Sequence, residues 1–327
     1  MNETRLAALN AAKLNALVTS VTGGPCDQLV QPGLSLTCGR VGDRLFALAD
    51  RLADLGPILA WAEGNGGPSL TVFADDSDDL AGHLARRSSL LSADITVMRV
   101  VGAKATPAEP VALPLPPDLG EDLWRAAAVM ADAGARVVDD HGRLTGEVLG
   151  LEVARVEPPG PDDDEITVRV GVGRADRDLQ GYVLGHLDDV ARLRRSVGLV
   201  ETHRRAGVAL HPLNRLSRPR WLRSVLLDDP AIVNVVDLDP LPPLWPDGGL
   251  LDTEPSAAFS PSDRVTVVCS AGFDFDLLPQ AVDYRHRIDP GSSLTLVVPR
   301  RDRELVERRV TGAAPDVSVR SVDTPWG

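Results

Sequence analysis

Nine arginines stand between positions 192 and 223 against a single acid, Glu201. They are Arg192, Arg194, Arg195, Arg204, Arg205, Arg215, Arg218, Arg220 and Arg223, interleaved with His203, His211 and Asn214. A guanidinium presents paired N–H donors to a carboxylate or phosphate and stacks on flat rings, so a face of this composition suits a protein partner or a nucleic acid. Arg204, Arg205, His211, Asn214, Arg215 and Arg218 are the residues expected to carry such contacts. The plainer alternative is that these arginines pair with acids elsewhere in the chain. With 34 Lys+Arg against 47 Asp+Glu the 327 residues carry a net −13, so a segment at +8 leaves −21 for the remainder. That surplus opposes long-range approach of a polyanion and sets intramolecular pairing or a protein partner ahead of nucleic acid.

Other motifs narrow the chemistry further. Lysine occurs only at Lys13 and Lys104, so any reaction that needs a lysine must use one of these two. The six histidines show no i, i+4 pair, and neither H-E-x-x-H nor G-x-S-x-G occurs. A Walker phosphate loop is missing, and Gly171-Val172-Gly173 lacks the third glycine of a dinucleotide fingerprint because Asp176 stands in its place. Cys269-Ser270-Ala271-Gly272 ends an apolar run, where α/β proteins form ligand sites, and Phe273 to Asp276 continues it; a buried thiol is the plain reading. Cys26 and Cys38 are twelve residues apart and could bridge, but three cysteines in all suggest reduced thiols.

Carboxylates could serve hydrolysis. Glu147 and Glu152 flank a predicted Leu149-Gly150 hairpin turn, and Asp164 and Glu165 open the next apolar run. Around them the residues predict a helix over 121–138, strands over 144–148, 151–156 and 166–170, a helix over 188–203 and a short helix capped by Ser217, an α-β-β-β-α-α order. Over these roughly 120 residues the order resembles the PD-(D/E)XK nuclease core. The resemblance implies a Mg²⁺-dependent nuclease with Glu147, Glu152 and Glu165 as metal ligands and catalytic carboxylates. It also implies a lysine two residues beyond one of the acids, where this chain has Ala154 and Thr167.

The flanking segments must position this middle region. After Asp43-Arg44 come the apolar runs 45–48, 70–73 and 95–97 with helix-length stretches between them, the second ending near Arg86-Arg87. After Asp263-Arg264 come 265–268, 294–297 and 317–319, with Arg308-Arg309 in the second interval. Common order and anchors predict two duplicated βαβαβ units in an α/β protein. Proline-rich stretches then divide the chain into 1–104 (an N-terminal amphipathic helix plus the first unit), a linker 105–117, the middle α+β domain 118–239, a linker 240–262 and the second unit 263–327. No targeting or membrane-length apolar segment is evident. The expectation is a cytoplasmic binding or scaffold protein that needs no cofactor, with the Mg²⁺ nuclease as the alternative.

Overall fold

The structure, a computed structural model, describes residues 3–32, 36–75, 79–159, 165–172, 189–205, 211–245 and 254–326. The chain groups into two compact units. One comprises Met1–Leu113, Asp274–Arg287 and Glu304–Ser318, and the other Pro114–Phe273, Ile288–Arg303 and Val319–Gly327.

In the first unit, helix α1 (Glu3–Thr22) is followed by strands β1 (Gln28–Val30), β2 (Thr37–Val41) and β3 (Arg44–Ala49). Helix α2 (Leu55–Asn65), β4 (Ser69–Asp75), α3 (Leu80–Ser89), β5 (Ile95–Val101) and β6 (Lys104–Pro107) complete a six-stranded sheet in sequential order. β3, β4 and β5 pair in parallel, and the remaining pairs are antiparallel. Period-two alternation divides β3 between two cores. Leu45, Ala47 and Ala49 join Leu55 and Ile58 of α2 and Ala81 and Leu84 of α3, whereas Phe46 and Leu48 join Leu14, Leu17 and Val18 of α1. The sheet is therefore covered on both faces, which is why its central strands read as unbroken apolar runs. Cys38 belongs to the first core and Cys26 packs against the second, so the two free thiols lie on opposite faces of the sheet and do not bridge. β6 occupies the start of the expected linker.

The second unit opens with α4 (Glu121–Asp132) and a four-stranded antiparallel sheet of β7 (Arg136–Asp139), β8 (Leu144–Val148), β9 (Leu151–Glu157) and β10 (Thr167–Val170), then α5 (Asp189–His203). The expected helix over 121–138 is thus a helix and a strand, and the middle order is α-β-β-β-β-α-α. Gly134 makes the break. At φ +95° it donates to the Ala131 carbonyl while Ala135 donates to that of Met130, a Schellman closure that frees the next residues to extend. Asp164, Asp176 and Gly173 lie outside the described residues, as does Asp188, the expected cap of α5. Leu193, Val197 and Val200 of α5 and Ala127 and Met130 of α4 share one core with the sheet.

Helix α6 (Arg218–Asp228) leads to β11 (Asp239–Pro240), β12 (Ser256–Ser260) and β13 (Val265–Cys269). α7 (Leu277–Ile288), β14 (Ser293–Pro299), α8 (Arg303–Ala313) and β15 (Val317–Val322) follow. The strands form a sheet in the order β11-β12-β13-β14-β15, with β13 and β14 parallel and β12 antiparallel to β13. The proline-rich 240–262 stretch therefore contributes a buried strand, β12, as well as connection, and Pro240 sits on an edge strand where its missing N–H is harmless. The segment 263–327 is divided between the units: most of α7 and α8 groups with the first, and β13 and β14 group with the second.

Candidate anion-binding face

The arginine segment is held by a tight turn. Leu149 and Gly150 join β8 to β9 with φ +49° and +72°, the paired positive angles of a two-residue hairpin, as expected. A Cβ at Gly150 would lie 2.2 Å from the Arg220 carbonyl carbon and 2.4 Å from the Trp221 nitrogen, so only glycine lets the turn seat against the first turn of α6. One residue pair earlier a register shift at Gly146 and Glu147 disturbs the ladder, and all five residues of β8 are buried. A bulge of this kind re-aims side chains. Glu147 consequently lies 4% exposed and accepts hydrogen bonds from Arg223 at 2.7 Å and Arg220 at 3.1 Å. Burial would raise its pKa, but the charges and hydrogen bonds of Arg223 and Arg220 outweigh burial and hold it below the ordinary carboxylate range. Arg220 also reaches Asp140 at 2.8 Å, and Arg223 reaches the Leu241 carbonyl at 3.3 Å.

Arg204 is fully buried and has no ion pair among the described residues. Its two terminal nitrogens donate to the carbonyls of Leu213 (2.8 Å) and Ser217 (3.1 Å), and its guanidinium lies 4.4 Å from the Trp221 ring centroid. Burial pushes this guanidinium down to about 9, so it remains a cation at neutral pH. Ser217 occupies the cap position of α6 in a left-handed conformation, with no side-chain cap; its carbonyl serves Arg204 and the Trp221 amide. Arg218 donates to the Asn214 carbonyl at 2.8 Å and lies over Trp326 at 5.2 Å; burial, then Arg301 and Arg215, lowers its pKa. Asn214 is buried, and its side-chain oxygen has no hydrogen-bond partner among the described residues.

An outer set remains. Arg194, Arg195, Arg205 and Arg215 are exposed and make no ion pair among the described residues. Beside them the His203 and His211 rings stack at 4.2 Å and 11°, and His211 Nδ1 accepts from the Leu213 amide at 3.4 Å. Of the six residues expected on the face, Arg205 and Arg215 are outward and His211 and Arg218 are half-buried, while Arg204 and Asn214 are interior. Sequence reasoning missed the outer row of α5. Arg195, Leu199 and Thr202 recur there at three to four residues, a helical spacing that was visible.

The three carboxylates of the nuclease alternative have separate placements. Glu147 and Glu152 are opposite one another on β8 and β9, but Glu152 is paired with Arg155 at 2.8 and 3.0 Å. Glu165 is exposed ahead of β10. Among the described residues no three His, Cys, Asp or Glu side chains converge to hold a metal ion, so these donors as placed do not fit a Mg²⁺ centre. Cys269 is fully buried, which pushes its thiol up to about 12, and Ser270 donates to the Gly272 carbonyl at 2.8 Å; neither is poised as a nucleophile. No described helix is long and apolar enough to cross a membrane. Comparison with protein-family models, curated proteins and solved structures finds no match.

Proposed function

We propose that the chain is a cytoplasmic binding protein whose outer arginines on α5 and the 211–215 turn engage an acidic segment of a protein partner. One observation carries this reading. In a chain with 47 acids against 34 Lys+Arg, Arg194, Arg195, Arg205 and Arg215 are exposed without an ion pair among the described residues. Acids are in excess, so cations left unmatched in one place are available to an outside carboxylate. The inner arginines hold that surface: Arg204, Arg220 and Arg223 bond the turn, the hairpin and α6 together. Binding is favoured over metal-dependent cleavage because both oxygens of Glu147 are occupied by guanidinium groups.

Anisotropy titration of the full chain with labelled oligoglutamate and with oligothymidylate of equal length tests the reading. Oligoglutamate should bind more tightly, and replacing Arg194, Arg205 and Arg215 together by Gln should weaken it at least about tenfold, with most of the loss in the salt-dependent part. Unchanged binding in the triple variant, or tighter binding of the nucleic acid, overturns it.

We infer too that the two βαβαβ stretches descend from one duplicated unit. Reciprocal contacts support this: the Arg86-Arg87 pair of α3 reaches Asp283 of α7, and Arg309 of the second Arg-Arg pair, on α8, reaches Glu63 of α2. In each case the second helix of one stretch bonds the first helix of the other, as in the self-complementary contact of a symmetric pair.

A further inference from the structure

The carboxyl end of β14 runs directly into Arg300, Arg301 and Asp302, and β14 is parallel to β13. The carboxyl ends of parallel strands are where α/β sheets place their ligands. The stretch after β15 ties this end of the sheet to the first turn of α6. Asp323 accepts from Arg300 through both oxygens, each at 3.0 Å, and three residues later the Trp326 ring carries the Arg218 guanidinium at 5.2 Å. Three residues span at most about 11 Å, so Arg301 and Arg218 are held at the same end of the sheet. Their proximity is felt electrostatically: after burial, Arg301 and then Arg215 disfavour the charged form of Arg218.

These guanidiniums have donors to offer. Arg218 engages the Asn214 carbonyl through Nε at 2.8 Å, and Arg301 engages Asp302 through Nε at 3.3 Å. Their terminal nitrogens, and the whole of the exposed Arg215 guanidinium, make no hydrogen bond among the described residues. Arg215, Arg218, Arg300 and Arg301 face two carboxylates, Asp302 and Asp323, so four positive charges against two negative leave a net +2. Acids exceed Lys+Arg by 13 in the chain as a whole, yet none of the surplus relieves this repulsion among the described residues.

We propose that Arg215, Arg218 and Arg301 hold a phosphate group at this end of the sheet. A phosphate carries about two negative charges near neutral pH, which balances the cluster, whereas a single carboxylate balances half of it. Its free oxygens accept from more than one guanidinium at once. Arg218, fixed by the Asn214 carbonyl and Trp326, is the anchor, and the exposed Arg215 and Arg301 close on the anion from either side. The site shares only Arg215 with the acidic-partner surface.

Calorimetric titration of the full chain at about pH 7.5, where a phosphate group is largely a dianion, tests this with sodium phosphate, a phosphoserine peptide, its unphosphorylated form and oligoglutamate. A phosphate-bearing probe should give a saturable heat, and the tighter of the two identifies the source of the group. Arg301→Gln should weaken that binding about tenfold, the loss of one charge-assisted contact. Arg301 is exposed and pairs only with Asp302, so an unaltered melting temperature is the control for folding. Asp302→Asn should strengthen binding severalfold, because it removes the carboxylate that competes for Arg301; a purely structural role would not raise affinity. No saturable heat from either phosphate-bearing probe, or full affinity in Arg301→Gln, overturns the proposal. Phosphate binding that depends on Arg301, with no binding of oligoglutamate, leaves this site standing and removes the acidic-partner reading. Oligoglutamate binding that depends on Arg194 and Arg205, with no phosphate heat, does the reverse.

Discussion

Replacing Glu147 by Gln should damage the second unit more than any other single polar substitution in it. The carboxylate is buried and accepts from Arg223 at 2.7 Å and Arg220 at 3.1 Å. After the change Arg220 retains Asp140 at 2.8 Å, but Arg223 retains only the Leu241 carbonyl at 3.3 Å, with its Nε lacking a hydrogen-bond partner among the described residues. Removing one member of a buried pair leaves an uncompensated charge and costs about 3–5 kcal/mol. The Gln carbonyl still accepts one hydrogen bond, so the lower end, about 3 kcal/mol, is expected. For a unit of this size that corresponds to a melting temperature lower by roughly 6–12 °C. Adding Arg223→Met to Glu147→Gln should recover part of the loss, since the stranded guanidinium is then gone.

Acid supplies an independent check on that assignment. The folded pKa of Glu147 is lowered from the model-compound value of 4.5, so its contribution is fully present above that value and is lost as pH falls through the folded pKa. The gap between wild type and Glu147→Gln should therefore narrow in acid. Thermal denaturation followed by circular dichroism across this range decides the matter. A loss below about 1 kcal/mol at neutral pH would refute the ion-pair account, because that is the size of an exposed pair. A gap that stays constant in acid would do the same.

Four further outcomes are expected. Asp276, buried near Arg87 and Gln280, is pushed up to about 6 chiefly by burial, so its stabilising contribution is complete below 3.8 and lost as pH rises through about 6. Asp276→Asn should thus gain on wild type between pH 5 and 7.5 by on the order of 1.4 kcal/mol, whereas Asp283→Asn, which strands the buried Arg86 and Arg87, should cost about 3–5 kcal/mol in urea titrations at neutral pH. Gly150→Ala should cost more than about 2 kcal/mol in the same assay, since it adds a strained positive φ to a collision with the α6 backbone. Incubation of the full chain with DNA or RNA and Mg²⁺ should leave both intact; cleavage abolished by Glu152→Gln and Glu165→Gln would revive the nuclease alternative.

The parallel strands were legible because they are buried on both faces: Leu45 to Leu48 and Leu294 to Val297 are apolar without interruption. What escaped notice lacks that signal. β2 follows its buried Thr37 and Cys38 with Gly39 and Arg40, which break an apolar run, and β12 is Ser-Ala-Ala-Phe-Ser amid prolines. β7 was hidden because Val137 and Val138 continue the apolar spacing of α4, although Gly134 already carried the stop signal. The hairpin was readable from Leu149-Gly150, but its docking on α6 was not, since nothing in the local pattern indicates which backbone approaches a glycine.

The arginine segment shows why a charge count and a charge map differ. Arg204 and Arg205 are neighbours of identical chemistry, yet one is buried against Trp221 and the other faces solvent. Their separation follows from where α5 ends. The Arg204 amide still donates to the Val200 carbonyl, which directs its side chain toward the 212–217 turn, and Arg205 lies beyond that last helical bond. The same logic sorts α6, where Arg220 and Arg223 are three residues apart on one helix face and meet the same carboxylate. A +8 segment is thereby reduced to a small exposed group of guanidiniums carried on a rigid ion-paired base. Side chains carried on such a base lose less conformational entropy on meeting an anion than a flexible basic tail would, which is the property the proposed binding of an acidic partner segment requires.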